Sequence, residues 1–437
     1  MEDAQEYIAN ADNYDNIRVY AADSKYALEE NPNGSGSWHR VTDELLDKNS
    51  VIKGRVSAIA YVMSTRLAIE LDSNVTVAIM DVNYNGSGVS AWISEEVYRE
   101  SFHEGDVYID RLDDYREFYK EYGRYPTSSA ELASYVSNIY ANVATVNYNA
   151  MMASLSGFNI RGAVWMQGEG NGSMGYGYKD YYEAVAKTFR NTFVDNKLPI
   201  FVIQLQPFSD GAQNDIRDAQ YEMVDEDPYS YLITAARCGT VLEDSDFDYN
   251  EDDTSLVHQS RKSPIGHRLA DAVLKEIYEN PEYENKIAPT VEKVEVSGGK
   301  IVITFDTDVT TEVAGDTVDG FEIAGSDGEF VSADAAVSGN KITVSASGVT
   351  APSEVRYGYG YFLIELNDGT LFSYSRKNVV EYTDEYLTVK DTDGTEYTFV
   401  RNDIRVVRTR FNGNITNSSG HPLPIFRLEV GYNKQGG

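Results

Sequence analysis

The stretch Gly162-Ala-Val-Trp-Met-Gln-Gly-Glu-Gly-Asn171 passes from an apolar run directly into a polar, glycine-rich loop. A short, continuous apolar run is typical of a strand that is covered on both faces of a sheet. The loop would then begin at the carboxyl end of that strand, where open α/β sheets place their ligands. This stretch therefore predicts both a parallel sheet and a candidate site at its edge.

Similar apolar runs occur on both sides of this stretch, at 75–80 and 199–205. Helical periodicity lies between and after them, at 57–71, 130–155 and 261–278, the last with Pro264 near its start. Strands that alternate with helices favour a doubly wound parallel sheet. We therefore predict an α/β domain, with a flavodoxin-like parallel sheet, over residues 1–287.

The chain changes character after about residue 287, where Val, Thr, Gly and Asp become frequent. Runs with strand-like alternation follow one another at 291–296, 300–305 and 341–345. They predict an all-β, sandwich-like domain over 288–437. Asn-Asp-Gly and Asp-Gly turn signals within 361–412 predict an inserted hairpin or small β-subdomain there.

Composition narrows the range of partners. The 437 residues carry 37 Lys and Arg against 70 Asp and Glu, which gives a formal charge of −33. Nucleic acid and anionic membrane surfaces are therefore poor partners. The single cysteine, Cys238, rules out a disulfide within the chain and a thiolate metal cluster. No apolar run approaches the ~18 residues typical of a membrane helix, so we expect no membrane insertion.

Three segments hold residue types suited to acyl transfer: a loop at 83–92, the motif at 165–171, and the His258 region. Acyl transfer needs donors that face the developing oxyanion. The Gly86 amide is one candidate, because no Cβ blocks close approach, and the Gln167 carboxamide is another. The reaction also needs a base with a pKa near neutrality. Of the five histidines, His258 alone lies in a loop that enters the last helix of the α/β part.

Each of these residues also has a structural interpretation when it is considered alone. His258 could be a structural histidine, and Gln167 could cap the end of a strand. Glu169 could shape its loop, and Arg217 is more typical of a helix-face or bracing residue. The acidic runs at 113–114 and 251–253 are better explained as solvated charge than as metal or glycosidase carboxylates.

Trp165-x-Gln-Gly-Glu-x-Asn171 resembles the hallmark of the sialate O-acetylesterase family, within the SGNH hydrolases. Other similar segments follow in the family's order, and together they span nearly all of the chain except about 361–412. These are Asn85-Gly-Ser-Gly-Val-Ser-Ala-Trp92, Tyr148-Asn-Ala-Met-Met152, Ile216-Arg-Asp-Ala-Gln220, His258 with Lys262-Ser-Pro-Ile-Gly-His-Arg268, Gly320-Phe-Glu-Ile-Ala-Gly325, Val355-Arg-Tyr357 and Pro424-Ile-Phe-Arg427. Several motifs in order are far more specific than one motif alone.

The resemblance implies a Ser-His hydrolase of O-acetyl esters on sialic acid, acting through an acyl-serine intermediate without a metal or other cofactor. His258 would be the general base. Gly86 and Gln167 would form the oxyanion hole with the amide of the serine itself. Asn85, Glu169, Asn171 and Arg217 would be supporting or substrate-binding residues. The partner implied is an acetylated sugar or glycan.

The family's serine lies in a Gly-Gln-Ser-Asn-Met block, and Met1-Glu2 aligns with the end of that block. We therefore expect the serine just upstream of residue 1, since no Gly-x-Ser-x-Gly elbow occurs elsewhere. Loss of the first, central strand would leave two strand edges unpaired. A leader lost with this block would indicate a secreted or periplasmic protein, whereas a complete chain would be cytoplasmic.

Three further positions depart from the family pattern. Ser255 stands where SGNH enzymes often have an aspartate three residues before the histidine, with Asp252 and Asp253 nearby. Gln259 replaces a proline, and Gly170 replaces a serine. Two other functions therefore stay open: an esterase for xylan or another acetylated polysaccharide, and a glycan-binding protein without catalytic activity.

Overall fold

The computed structural model describes residues 4–23, 26–34, 36–42, 46, 56–72, 74–103, 105–124, 143–206, 212–236, 238, 262–313, 315–359, 361–374, 379–383, 385–390, 395–410 and 413–434. The helices within these ranges are α1 (Ala4–Ala9), α2 (Ala58–Glu70), α3 (Glu95–Ser101), α4 (Val107–Tyr122), α5 (Tyr178–Thr192), α6 (Ala212–Glu226) and α7 (Ser263–Glu276). Among the described residues, no helix combines the length and apolar character needed to cross a bilayer.

The described residues of the α/β part form the strands β1 (Ile17–Ala22), β2 (Gly36–Arg40), β3 (Val77–Asp81), β4 (Ala163–Trp165), β5 (Ile200–Ile203) and β6 (Ser230–Ile233). β4, β5 and β6 form a parallel sheet in that order. β1 pairs in parallel with β3 and antiparallel with β2. The predicted alternation of parallel strands and helices is thus confirmed. Within the described residues, β3 and β4 each pair on one side only.

Burial explains why these segments form strands and helices. All four residues of β5 are buried, as the continuous apolar run predicts. β4 differs, because Val164 is 39% exposed. On α5, Tyr178, Tyr182, Val185 and Phe189 recur at helical spacing and are all buried. These four side chains fix the face that α5 turns toward the core of the α/β part.

The long helix predicted over 130–155 is only partly testable, because 125–142 lie outside the described residues. In the described part, the predicted helical region is interrupted near its middle. Residues 143–145 form a bend and a turn, and Thr145 has a φ of +67°, which a non-glycine residue rarely adopts. Helical structure follows from residue 146 and continues into the π-helical turn Tyr148–Met152. Apolar periodicity could not reveal this break, since it carries no information on backbone handedness.

The β-rich part begins with β7 (Val291–Ser297), β8 (Lys300–Phe305), β9 (Val309–Thr311), β10 (Phe321–Ala324), β11 (Val331–Ser332), β12 (Asp334–Ser338), β13 (Lys341–Ser345) and β14 (Glu354–Tyr357). It ends with β21 (Ile415–Asn417) and β22 (Phe426–Glu429). Two four-stranded sheets, β11-β10-β14-β22 and β12-β13-β8-β7, share one core. Ile303, Phe305, Ile323 and Phe426 are fully buried there, so this part is an antiparallel sandwich.

Between these strands lie β15 (Tyr361–Leu366), β16 (Leu371–Tyr374), β17 (Val379–Tyr382), β18 (Tyr386–Lys390), β19 (Glu396–Val400) and β20 (Ile404–Arg410). They form two three-stranded sheets with a small core of their own, around Ile364, Leu387, Val389 and Phe399. The strands β15 and β20 pair with Tyr361 opposite Arg410. The segment therefore enters and leaves at neighbouring points, and its interpretation as an inserted subdomain stays a prediction.

Cα packing divides the chain into two compact units. The first comprises Met1–Ile203, Glu222–Tyr231 and Gly266–Asn280. The second comprises Gln204–Tyr221, Leu232–Ile265 and Pro281–Gly437. The domain boundary near residue 287, which the change in composition predicts, stays a prediction.

Gly266 is expected to be essential for the packing of α7 against α2. A Cβ at this position would lie 2.6 Å from the Val62 Cβ and 2.9 Å from the Ile59 carbonyl oxygen. Gly266→Ala should therefore lower the free energy of unfolding by about 1–3 kcal/mol, measured by urea denaturation. Gly177→Ala is the control, because it has a helical φ of −62° and no atom within 4 Å of the added Cβ. Equal losses in the two variants would contradict this packing argument.

Candidate active site

The loop after β3 presents an exposed backbone donor. A turn forms at 84–87, in which the Tyr84 carbonyl accepts from the Ser87 hydroxyl at 2.9 Å. Gly86 has a φ of +72°, where glycine is favoured, and a Cβ there would meet no atom within 4 Å. Asn85 and Gly86 are both exposed, and the Gly86 N–H has no hydrogen-bond partner within the described residues. This amide is therefore free to donate to a ligand.

Gln167 lies directly after β4 and reaches the same loop. Its Nε2 donates to the Ser87 carbonyl at 3.0 Å and to the Asn171 Oδ1 at 2.5 Å. Its Oε1 accepts from the Tyr178 hydroxyl at 2.8 Å. Gln167 is buried, so every polar atom of its side chain needs a protein partner. The side chain thus connects the two loops that the sequence singled out.

Asn171 provides a second connection between these loops. Its Oδ1 accepts from the Val89 backbone N–H at 3.0 Å, in addition to the Gln167 contact. Its Nδ2 lies 3.1 Å from the Met174 sulfur. The backbone can turn sharply here because Gly168, with a φ of +147°, precedes the 3₁₀ segment that holds Asn171. Asn171 is buried and is held in place by this turn.

Three further side chains contact this site, and the sequence alone indicated no role for any of them. The Trp165 indole donates to the Tyr178 hydroxyl at 3.0 Å, and Tyr178 is fully buried on α5. The Trp92 indole donates to the Ser87 hydroxyl at 2.8 Å. Helical spacing does predict that Tyr178 faces the core. Nothing in the sequence shows where its hydroxyl points.

The remaining predicted site residues have different surroundings. Glu169 is half-buried at the start of the 3₁₀ segment, and its charge adds to the effect of burial in raising the pKa of Tyr178. Arg217, in the second unit, is 0% exposed and donates to the Gln206 carbonyl at 3.1 Å. It also contacts the Asn214 Oδ1. His258 lies outside the described residues, as do Ser255, Asp252 and Asp253.

Asp81 at the end of β3 gives a testable dependence on pH. Burial raises the pKa of this carboxyl, although hydrogen bonds from the Asn83 Nδ2 at 2.8 Å and from the Ser57 backbone N–H oppose the shift. The folded protein therefore binds this proton more tightly than the unfolded chain does. The stability that this group contributes is present below the unfolded pKa, about 3.9, and is lost as the pH rises through the folded pKa.

Asp81→Asn removes this titration. The free energy of unfolding of the variant, relative to the native protein, should therefore increase between about pH 4 and pH 7. Urea unfolding of both proteins across this range measures the difference. A difference that is independent of pH would show that Asp81 has no raised pKa in the folded state.

The parallel α/β sheet and the later antiparallel β-rich part match the fold of the SGNH hydrolases with added β structure. Residues 129–275 match the family model described as carbohydrate esterase, sialic acid-specific acetylesterase. A carbohydrate acetylesterase from Xanthomonas citri has a similar structure, with a TM-score of 0.67 and 20% sequence identity. That match covers 98% of this chain and 76% of the other. No curated protein matches the chain.

The family-model match confirms the resemblance to the sialate O-acetylesterase family over about a third of the chain. The structural match, at its low identity, confirms the fold. The family-model match supports a carbohydrate esterase as the class of protein.

Proposed function

We propose that this chain belongs to a carbohydrate O-acetylesterase that hydrolyses O-acetyl esters of sialic acid by a Ser-His mechanism. One observation supports this proposal above the others. The Gly86 amide is exposed and unpartnered within the described residues, on a loop that Gln167 and Asn171, which follow β4, hold by hydrogen bonds. A rigidly held N–H donor at the carboxyl edge of a parallel sheet is what stabilises an oxyanion.

The chemistry follows from the groups that the family resemblance implies. The serine oxygen attacks the acetyl carbonyl while His258 takes the hydroxyl proton, which gives a tetrahedral oxyanion. The Gly86 N–H donates to that oxyanion. The ester C–O bond then breaks, and His258 returns the proton to the sugar oxygen. Water repeats these steps on the acetyl-serine and releases acetate.

Gly86 is suited to its role for two physical reasons. The positive φ of Gly86 turns the peptide so that the loop reverses direction, which costs a glycine little. The open space around its Cα lets an acetyl group approach the amide without a steric clash. Asn85, which is exposed beside it, can contact the sugar.

Hydrolysis assays on two proteins test the proposal: this chain alone, and the chain joined to the in-frame sequence upstream of it. The substrates are p-nitrophenyl acetate, O-acetyl sialic acid and acetylated xylan. We expect the extended protein to hydrolyse the first two, with sialic acid preferred over xylan. Activity of the chain alone would mean that a different residue is the nucleophile.

The two other functions give different results in the same assays. Preference for acetylated xylan would indicate a polysaccharide acetylesterase, in keeping with the broader description of the Xanthomonas citri protein. Sugar binding by both proteins without any hydrolysis would indicate a glycan-binding protein. Either result would overturn the proposal for sialic acid esters.

A further inference from the structure

Tyr178 is the central residue of a buried chain of hydrogen bonds behind the candidate site. The chain runs from the Trp165 Nε1 to the Tyr178 hydroxyl at 3.0 Å, and from there to Gln167. The tyrosine oxygen lies 2.8 Å from the Gln167 Oε1 and 2.9 Å from the Gln167 carbonyl oxygen. Gln167 then donates to the Ser87 carbonyl in the loop that carries Gly86. All of these groups belong to the first compact unit.

The direction of these hydrogen bonds is fixed by groups that can only donate or can only accept a hydrogen bond. The Ser87 carbonyl can only accept, and the Val89 backbone N–H can only donate. Asn171 must therefore present its oxygen to Val89, and Gln167 must present its nitrogen to both Ser87 and Asn171. The Gln167 Oε1 then faces Tyr178. Since the Trp165 indole can only donate, Tyr178 accepts from it and donates its own proton toward Gln167.

This direction has a consequence for Gln167. Both protons of its Nε2 are already donated, one to the Ser87 carbonyl and one to the Asn171 Oδ1. Neither is left for an oxyanion in this arrangement. Burial raises the pKa of Tyr178, so its hydroxyl keeps its proton and remains a donor throughout the physiological range.

We propose that Tyr178 is a positioning residue, which orients Gln167 so that the carboxamide holds the 84–89 loop and with it the Gly86 amide. The inference rests on the proposed function, because it assigns to that amide the oxyanion role. Gln167 then acts through the loop rather than as a direct donor. The sequence resemblance alone implied a direct role.

Tyr178→Phe tests the proposal, with Tyr182→Phe as a matched control. Both tyrosines are fully buried on α5, but the Tyr182 hydroxyl lies 2.6 Å from the Ser230 hydroxyl on β6 rather than bonding to Gln167. In the extended, active protein, Tyr178→Phe should lower kcat for p-nitrophenyl acetate about tenfold while KM stays within about twofold, because loosening one oxyanion donor costs part of its full effect. Tyr182→Phe should leave kcat within about twofold.

A second measurement needs no activity and uses this chain as it is. Hydrogen exchange of the Val89 amide, which is bonded to Asn171, should become at least several-fold faster in Tyr178→Phe and stay unchanged in Tyr182→Phe. Equal kcat and equal exchange in the two variants would overturn the proposal and leave Tyr178 a packing residue. If the native extended protein hydrolyses no ester, the proposed function fails, while the exchange experiment still tests the positioning of the loop.

Discussion

Replacing His258 by alanine should abolish ester hydrolysis by the extended protein. The general base takes the proton of the nucleophile and later gives it to the leaving sugar, so both half-reactions lose their proton carrier. We expect kcat for p-nitrophenyl acetate and for O-acetyl sialic acid to fall by roughly 10³-fold or more, as in other Ser-His hydrolases. KM should change little, because the imidazole acts mainly on the transition state. Steady-state kinetics on both substrates measure the two parameters.

His103→Ala is the control for this experiment, because His103 is exposed on the segment between α3 and α4 and has no proposed part in the reaction. It should keep nearly full activity. If His258→Ala keeps more than about a tenth of the native kcat, His258 is not the base, and the family resemblance at this position does not extend to function.

The sequence was a good guide to secondary structure where burial alone decides it. The apolar run of β5 and the periodicity of α7 correspond to elements with nearly the predicted bounds. The sequence was a poor guide where a residue adopts a backbone conformation that its type rarely adopts. Thr145 interrupts the helical region predicted over 130–155, and its N–H bonds to the Ser90 carbonyl, a partner distant in sequence. Such a contact depends on the packing of the whole chain.

The same limit applies to the candidate site. The motifs placed Gly86, Gln167 and Asn171 in one site because each follows a strand, and the structure brings their loops together. The motifs could not show which polar atom bonds to which. Tyr178 was therefore missed, and the saturation of the Gln167 donors was not foreseen. Hydrogen bonds between side chains depend on distances between atoms in the folded chain. The order of motifs along the sequence does not give these distances.

Replacing the buried Arg217 is expected to lower the stability of the protein strongly. Its guanidinium is 0% exposed and donates to the Gln206 carbonyl at 3.1 Å, and its own carbonyl accepts from the Gln204 Nε2 at 3.2 Å. Arg217→Leu would leave the Gln206 carbonyl and the Asn214 side chain without this cation. We expect the free energy of unfolding to fall by about 3 kcal/mol, measured by urea denaturation.

Two comparisons separate a bracing role of Arg217 from substrate binding. Arg217→Lys keeps the charge without the planar fork, so its loss of stability should be smaller than that of the leucine variant. Arg427→Leu, which removes a partly exposed pair with Glu354 at 2.7 Å in the same unit, should cost about 1 kcal/mol or less. If Arg217 bound the substrate instead, Arg217→Lys would raise KM for O-acetyl sialic acid at unchanged stability. Its complete burial against the Gln206 carbonyl and the Asn214 side chain favours the brace, because a fully buried guanidinium cannot reach a sugar unless these hydrogen bonds break.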